Sequence, residues 1–404
     1  MAQAPLSLAD LERMALERNP AVAQGRAAIA AAAGKAKQAG LYPNPVLSVV
    51  GDEIAGGPVI RGGELGFGIQ QRIVTGGKLG LSRRAAEQER LIAEVDAKIE
   101  RQRLLNAVRS LYYQALGDQY RIHVRTNLAK LAQEAVRISH ELVNVGEADQ
   151  PDQLAAEVEA QRIQLELAEA VEHQQSTWRQ LGAMLNEPSL PPSPLAGDLE
   201  ALPRLEMEQA LEEVFEGNPE LQAAMIEVNR SELAFKRAQK EVIPDLIVSG
   251  GVRHNNELLE PAAGGNAGRR SVGPEGFFDI GVEVPLFNRN QGNIAAERAS
   301  LESAKLDVER AKLALRARLA DAYREYKTAL TRAERYKQDI LPKAQKAYEL
   351  YLASFHQMAA AYPQALIAQR SLFQLQDEYA ATLVAAWQWS TEIQGQLASG
   401  GNRK

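Results

Sequence analysis

The sequence contains no cysteine, so neither a disulfide framework nor a thiolate metal site can form. It also lacks a basic surplus: 46 lysines and arginines stand against 52 aspartates and glutamates, a formal net charge of −6. A nucleic-acid-binding protein usually carries the opposite balance. Aromatic residues make up only 5% of the chain. Abundant alanine allows helix backbones to approach closely, which favours a layer of packed helices over a thick core.

Long hydrophobic runs are also missing. No apolar stretch reaches the roughly 18 residues of a transmembrane helix. The nearest run, at 27–33, is followed by Lys35 and Lys37. The chain opens Met-Ala-Gln-Ala-Pro, with neither a charged leader nor an apolar signal segment. We expect either a cytoplasmic protein or one whose signal peptide has been removed, and any passage through a membrane by β-strands.

Proline is absent from residues 78–145, which predicts a single helix roughly 100 Å long at 1.5 Å per residue. Apolar residues in its second half alternate steps of four and three, the period of a left-handed supercoil. They are Val124, Leu128, Leu131, Ala135, Ile138, Leu142 and Val145. A turn at 146–151 leads into a second helix from about 152 to 185. Such a helical hairpin is longer than a compact globular domain requires.

Two strands precede this hairpin, at about 46–53 and 64–74, and a glycine-rich loop at 54–63 joins them. Two shorter helices come first, at 6–18 and 20–38, with Asn19-Pro20 between them. The second strand alternates, which predicts one apolar and one polar face, although a soluble sheet with one wet face has the same pattern. Its apolar side carries Leu65, Phe67 and Ile69, and its polar side carries Glu64, Gly66, Gly68, Gln70 and Arg72.

The second half of the chain repeats the first at an offset of 199. Asn218-Pro219 matches Asn19-Pro20, and residues 244–250 match residues 45–51. We predict strands at about 245–253 and 277–287 with a loop at 254–276, a helix from 291 that continues through Pro342, a tip near 358–363, and a last helix to about 397. The predicted organisation is a first repeat at 1–187, a proline-rich linker at 188–204 and a second repeat at 205–404.

This plan predicts a mainly α fold, an internally duplicated coiled-coil tunnel with a small β-barrel. Four strands per chain are too few for a membrane barrel, which needs about eight, so several copies must share one. Three copies would supply twelve strands, with apolar sides facing lipid. The predicted lumen-facing residues are Glu64, Gln70, Arg72, Asp279 and Glu283. We expect the last two to hydrate the lumen rather than to select cargo.

Several motifs carry a resemblance to a known family. Gly76-Gly77-Lys78 opens the long helix, and Gly146 is followed by Asp152-Gln153-Leu154-Ala155-Ala156. The second copy reads Gln364-Ala365-Leu366-Ile367-Ala368, with Met358 in place of the glycine. With the Asn-Pro pairs and paired strands, these residues resemble the TolC-like outer-membrane efflux channels of Gram-negative bacteria. Residues 44–49 and 71–78 are most similar to the branch that serves heavy-metal exporters.

The resemblance implies a homotrimer with a twelve-stranded barrel in the outer membrane and a long helical tunnel in the periplasm. It implies partners at the tips, namely a periplasmic adaptor protein and an inner-membrane transporter of the RND type. No cofactor, no nucleic acid and no catalysis are implied. The implied tip, gate and adaptor-contact residues are Gly146, Glu147, Asp149, Asp152, Leu154, Met358, Gln364 and Leu366.

Acidic residues at the first tip have two readings. Glu147, Asp149 and Asp152 would form cation-selecting rings in a trimer, but Asp149 is also a natural N-cap, and helix starts favour acids. Some family members latch the tip with an arginine and a tyrosine, where this chain has Ala360 and Phe355. The resemblance therefore implies closure by packing instead of a polar latch.

The function predicted first is a passive export duct for heavy-metal cations. Drugs or other small molecules are the competing cargo, and a soluble periplasmic coiled-coil scaffold or adaptor is the alternative of a different class. Thr75-Gly76-Gly77-Lys78 lacks the first glycine and the final hydroxyl residue of a phosphate-binding loop, so we interpret it as a strand-to-helix turn. We find no nucleophile–base pair or metal motif, and the five histidines have no metal-ligand spacing.

Overall fold

The computed structural model describes residues 5–52, 63–146, 149–259, 270–356, 362–395 and 397. The described parts of the chain form two compact units, and each takes segments from both predicted repeats. The helical unit is drawn from Met1–Arg26, Val95–Gln222 and Arg310–Lys404. The sheet unit is drawn from Ala27–Glu94 and Ala223–Glu309. The repeat boundaries at 187 and 205 stay a prediction.

The helices follow the predicted order, and most begin and end within two residues of the predicted positions. None of the described helices combines the length and the apolar character that crossing a membrane requires. The bounds are α1 (Leu8–Arg18), α2 (Pro20–Ala39), α3 (Lys78–Asn144), α4 (Gln150–Met184), α5 (Met207–Gly217), α6 (Pro219–Lys240), α7 (Gln291–Arg335), α8 (Leu341–His356) and α9 (Tyr362–Gln394).

Two helices begin inside the segments that were predicted as tips. α4 begins at Gln150 and α9 begins at Tyr362. In both helices the second residue is a proline, Pro151 or Pro363. Proline fits the first helical turn because its missing N–H would have no partner there. These prolines therefore belong to the helix starts rather than to the turns.

The two Asn-Pro pairs start helices in the same way. Pro20 is the first residue of α2, and Asn19 Oδ1 accepts a hydrogen bond from a backbone N–H two residues on, at 2.9 Å. Pro219 is the first residue of α6, and Asn218 Oδ1 accepts one from an N–H three residues on, at 3.0 Å. The asparagine satisfies a donor that the helix leaves unpaired. The repeated sequence signal corresponds to a repeated helix start.

Pro342 changes the turn before it without ending the helical path. Residues Tyr336–Ile340 form a π-helical turn between α7 and α8, and the N–H of Leu341 donates to the carbonyl of Tyr336. In a regular helix the proline ring would collide with the carbonyl four residues earlier. The wider π turn accommodates that ring. The helical run thus continues past Pro342, as predicted.

In the described part of the chain, the four strands form one antiparallel sheet in the order β1-β2-β3-β4. Their bounds are β1 (Val46–Asp52), β2 (Glu64–Ile73), β3 (Leu246–Leu259) and β4 (Arg270–Val282). The first hairpin agrees with the prediction to within one residue. The predicted loop between its strands lies outside the described residues except for Gly63.

The second hairpin corrects the prediction. β3 continues to Leu259 instead of ending at 253, and β4 runs from 270 to 282 instead of from 277 to 287. The glycines and asparagines favour a loop locally, but cross-strand pairing as far as Leu259↔Arg270 overrides this preference. Pro274 is tolerated because β4 is an edge strand. Residues 260–269 of the predicted loop lie outside the described part of the chain.

The proline-rich segment 188–204 belongs to the helical unit and packs against its helices, whereas the sequence suggested a linker. Leu195 and Leu199 are buried in its largest cluster of apolar side chains. Tyr112 donates a hydrogen bond from α3 to the carbonyl of Ala196, and Trp387 Nε1 donates from α9 to the carbonyl of Leu199 at 2.9 Å. Side chains thus satisfy carbonyls that an extended, proline-rich chain cannot pair with itself. We call residues 188–204 the strap.

The contact between α3 and α4 partly corrects the predicted seam. Leu128 is buried as predicted, together with Ala132, against Ile163 of α4. Leu131 is 44% exposed and Val145 is 69% exposed in the single chain, so the contact with α4 does not follow the predicted seam at these positions. Small alanine side chains allow α4 to approach closely, which moves the contact toward the alanine-bearing side of α3.

Replacing Tyr326 by phenylalanine tests how firmly the end of the strap is held. The buried Tyr326 hydroxyl donates to the carbonyl of Pro203 and accepts from the N–H of Leu205 at 3.2 Å. Burial raises the pKa of Tyr326, so the hydroxyl stays a donor at neutral pH. Tyr326→Phe should lower the free energy of unfolding by about 1–3 kcal/mol, because two backbone groups lose their partner. Denaturant unfolding followed by circular dichroism measures this.

Tyr323→Phe is the matched control for that substitution. Its hydroxyl donates to the carbonyl of Leu205 at 3.2 Å from a partly buried position. The loss should be smaller, about 0.5–1.5 kcal/mol. Equal losses of unfolding free energy for the two variants would contradict the conclusion that the Tyr326 hydroxyl, with its two backbone partners, contributes more than that of Tyr323.

Candidate functional site

The sheet has one face that is apolar and exposed. Directly paired residues of neighbouring strands lie on the same face, so Val49, Phe67 and Val252 belong together. Leu47 is 79%, Phe67 71% and Phe278 70% exposed. A soluble monomer rarely exposes a continuous apolar patch of this kind. The face comprises Leu47, Val49, Leu65, Phe67, Ile69, Val252, Phe278, Ile280 and Val282.

The opposite face, which we call the polar face, collects most of the predicted lumen residues, beside a few apolar side chains such as Val50 and Phe277. Gln70 is paired with Ser249, which is paired with Asp279, and Glu64 and Arg72 alternate in phase with Gln70 along β2. Glu283 was predicted to continue this face, but β4 ends at Val282. Its strand placement is therefore wrong, since Pro285 lacks the N–H that a longer ladder would use. A lumen-facing role for all five residues stays a prediction.

Arg72 is held by a buried carboxylate at the base of the sheet. One Arg72 guanidinium nitrogen lies 2.6 Å from Asp245 Oδ2, and Lys78 Nζ lies 2.6 Å from Asp245 Oδ1. The backbone N–H of Thr75 donates to Oδ1 at 3.0 Å. The Asp245 and Lys78 side chains are 8% and 4% exposed. Asp245 therefore joins the end of β2, the start of α3 and the start of β3.

Gly76 and Gly77 aim Lys78 at this carboxylate. Both glycines have positive φ, 65° and 71°, a backbone conformation that favours glycine. Lys78 Nζ also donates to the carbonyl of Ile243 at 2.8 Å. Burial by itself raises the pKa of Asp245, but the hydrogen bonds from Lys78, the Thr75 N–H and Arg72 together lower the pKa below its usual value. The glycine pair is thus a strand-to-helix turn, as interpreted from the sequence.

The first tip is described at four of its five predicted residues. Gly146, with φ of 79°, follows α3 in the left-handed conformation typical of helix ends. Asp149 occupies the N-cap of α4 without a side-chain capping bond, and Asp152 lies in the first turn. Leu154 is 52% exposed. Glu147 lies outside the described residues.

The second tip places its equivalent residues differently. Leu366 is 8% exposed, whereas Leu154, its counterpart in the repeated motif, is half exposed. Gln364 is exposed. Met358 and Ala360 lie outside the described residues. The leucine of the repeated motif is therefore buried in the second copy and half exposed in the first, a difference that the sequence of the motif did not indicate.

Ion pairs that the sequence analysis missed join α9 to α3 and α4. Arg370 Nε donates to Glu159 Oε1 of α4 at 2.8 Å, and a second guanidinium nitrogen pairs with Oε2. A second pair joins Arg125 of α3 to Asp377 of α9 at 2.7 Å. Glu159 is 4% exposed. The sequence held one signal for this ion pair. Glu159 lies beside Ala160 on the buried side of α4, and a buried carboxylate needs a positively charged or hydrogen-bonding partner.

Histidines form no metal centre in the described part of the chain, where no group of three or more histidine, aspartate or glutamate side chains could hold an ion. His173 Nδ1 lies 3.0 Å from Asp118 Oδ1, and Thr177 donates to the other oxygen at 2.7 Å. This buried aspartate joins α3 to α4. The contact is a packing interaction between two helices.

Asp245→Asn tests the junction at the base of the sheet. It should lower the free energy of unfolding by about 3–5 kcal/mol, because the buried Lys78 ammonium loses its counter-charge. Thermal unfolding in detergent measures the loss, and Arg72→Gln, which changes a 59% exposed side chain, should cost about 1 kcal/mol or less. Adding Lys78→Met to Asp245→Asn should restore part of the loss. No restoration would contradict the assigned pairing.

The same carboxylate predicts a pH dependence. Because its folded-state pKa is lowered, Asp245 contributes stability at neutral pH that is lost as the pH falls through that lowered pKa. The stability of the wild type should therefore fall more steeply than that of Asp245→Asn in acid. Parallel curves of unfolding free energy against pH for the two proteins would contradict the stabilising role of the ionised Asp245.

Glu159→Gln tests the connection between α4 and α9. We expect a local loss of about 1–2 kcal/mol, reduced by the 45% exposure of Arg370. Amide hydrogen exchange should become faster around residues 366–374. Arg137→Gln, which removes ion pairs within α3 only, is the control and should leave this segment unchanged. Unaltered exchange in Glu159→Gln would argue against the connection.

Comparisons with known proteins agree with the predicted family and fold. The outer membrane efflux protein family matches residues 11–187 and 210–390. The cobalt-zinc-cadmium resistance protein CzcC of Cupriavidus metallidurans is 26% identical over 360 residues, which cover 89% of this chain and 82% of that protein. These matches confirm the predicted family and the likeness to its heavy-metal branch.

Solved structures share the fold at low sequence identity. A membrane protein from Pseudomonas aeruginosa has a TM-score of 0.79 at 18% identity and covers 96% of this chain and 92% of its own. CusC has a TM-score of 0.79 at 16% identity, with 97% and 92% covered. VceC from Vibrio cholerae has a TM-score of 0.77 at 18% identity, with 97% and 96% covered. With the family match extending across both halves of the sequence, the chain belongs to the outer membrane efflux protein family.

Proposed function

We propose that the chain is the outer-membrane component of a three-part efflux pump, a passive homotrimeric channel that exports heavy-metal cations from the periplasm. The observation that carries this proposal is the sheet, with one exposed apolar face and an opposite face that carries most of the charged side chains of the strands. Acyl chains of lipid are the natural contact for the first face, and water for the second. The similarity to CzcC supports metal cations as the cargo.

Three copies are proposed because the sheet is unfinished in one chain. β1 and β4 are its edge strands, and each leaves a row of backbone donors and acceptors without a neighbour in the sheet. Pairing β1 of one copy with β4 of the next satisfies both edges. The polar faces of the three sheets then line a shared pore. Glu64, Gln70, Arg72 and Asp279 line its wall, with Glu283 in the segment after β4.

The helix tips are the proposed contact with the rest of the pump. A periplasmic adaptor protein would bind there and connect the channel to an inner-membrane RND transporter, which supplies the energy. Gly146, Glu147, Asp149 and Asp152 would surround the entrance at the first tip. Leu154, Met358, Gln364 and Leu366 would contribute to the gate or to the adaptor contact. Three-fold symmetry turns each acidic residue into a ring that attracts cations.

A soluble coiled-coil scaffold fits the described residues less well. Such a protein would have to cover the exposed apolar face of the sheet with another partner. Outward-facing residues as large as Phe67 and Phe278 favour lipid over water at this face. The membrane channel is therefore the proposed class, and the cargo is the part of the proposal to be tested by growth.

A growth panel in a bacterial host that lacks its own equivalent channel tests the cargo. The chain is supplied with its adaptor and transporter, and cells are challenged with zinc, cobalt, nickel, copper and silver salts beside dyes and antibiotics. Protection against one or two metals is the expected result, because the chain is 26% identical to CzcC, a cobalt-zinc-cadmium resistance protein. Asp152→Asn should weaken the protection, with Glu232→Gln on α6 as the control for charge.

Two outcomes contradict parts of this proposal. Protection against the organic compounds alone would exclude metal cations as the cargo and keep the channel. Extraction of the chain from cells without detergent, as a monomer, would exclude the membrane channel itself.

A further inference from the structure

Four charged residues form a belt across the polar face of the sheet, one from each strand. They are Asp52 of β1, Glu64 of β2, Arg253 of β3 and Glu275 of β4. Asp52 is paired with Glu64, and Arg253 is paired with Glu275. These positions alternate in phase with Gln70 and Asp279, so the register places all four on the same face. We call them the charged belt.

Arg253 is shared by the three carboxylates of the belt. Its Nη1 lies 2.5 Å from Glu64 Oε2 and 4.0 Å from Asp52 Oδ2, and its Nε lies 3.5 Å from Glu275 Oε2. Asn255 also donates to Glu64 Oε1, at 2.9 Å. One positive charge therefore faces three negative charges. The belt carries a net charge of −2 per chain.

Gly66 makes room for this arrangement. Gly66 is the partner of Arg253 in the register, and a Cβ at position 66 would lie 2.6 Å from Arg253 Cβ. The same Cβ would also collide with the backbone of β3, at the carbonyl oxygen of Val252 and the Cα of Arg253, so only glycine allows β2 and β3 to pair here with Arg253 in this position. With glycine there, the Arg253 side chain can extend over β2, where it meets Glu64, toward Asp52 of β1. Glycine on β2 and arginine on β3 thus act together to place the positive charge among the carboxylates.

We propose that the charged belt is a charge filter that sets the preference of the pore for cations, and that Arg253 limits the strength of that preference. This inference rests on the proposed function, in which the polar face lines the pore of a trimer. Three copies bring nearly the same level of each sheet together as a ring of negative charge. Rings of carboxylates concentrate cations and exclude anions in narrow aqueous passages.

A merely structural role for the belt predicts different behaviour. Cross-strand ion pairs stabilise a sheet, so each substitution would then reduce stability and leave ion preference unchanged. A filter instead responds to the sign of the removed charge. Removing the arginine and removing a glutamate should shift the ion preference in opposite directions, which loss of folding cannot do.

The test reconstitutes the purified full chain in planar lipid bilayers and measures the reversal potential across a gradient of potassium chloride. Wild type should prefer potassium over chloride. Arg253→Gln should raise the permeability ratio about two-fold and Glu275→Gln should lower it about two-fold, as expected for a change of one charge per chain. Glu302→Gln, which removes the same charge from an exposed position on α7, is the control and should leave the ratio unchanged.

Each other outcome overturns a defined part of this account. If the channels conduct but both variants keep the wild-type ratio, or shift it in the same direction, the belt is not the filter and the channel proposal stands. If the wild type forms no conducting channel, the proposed function fails, and the belt proposal fails with it.

Discussion

A β-sheet edge must find hydrogen-bond partners, and this requirement governs the rest of the structure. The sheet has four strands, and its two edges, β1 and β4, are unpaired within the sheet of one chain. One of its faces is apolar and exposed, with Leu47 and Phe67 among its side chains. Edges and face together indicate that a single chain is not the functional unit. The proposed trimer in a lipid environment would supply partners for the edges and a covering for the apolar face.

Buried ion pairs select which elements meet, in addition to any stability they contribute. Asp245 receives Lys78 and Arg72 where strands pass into helices, and Glu159 receives Arg370 between α4 and α9. Isolated pairs of this kind are weak evidence for stability, because desolvation offsets their attraction. A wrong pairing would leave a buried charge without a partner. Such pairs therefore specify neighbours among long helices whose apolar surfaces, rich in alanine, are otherwise alike.

Much of the fold followed from local signals in the sequence. Proline, glycine and apolar periodicity predicted the helices, and alternation predicted the faces of β2. Interactions between distant segments account for the differences: pairing of β3 with β4 converts the flanks of a predicted loop into strand, and side chains such as Tyr112 hold the strap in place. Arg253 was missed at the candidate site because its partners, Glu64 and Glu275, become its neighbours only through the register.

Disulfide cross-linking tests the central claim that β1 of one copy pairs with β4 of the next. The natural chain has no cysteine, so introduced pairs have no background. Ser48→Cys on β1 is combined in turn with Phe277→Cys, Asp279→Cys or Gly281→Cys on β4. Within one chain these strands are about 14 Å apart, beyond the roughly 7 Å that a disulfide can bridge. The account predicts a covalent trimer on denaturing gels for at least one combination after oxidation; monomers in every combination would contradict it.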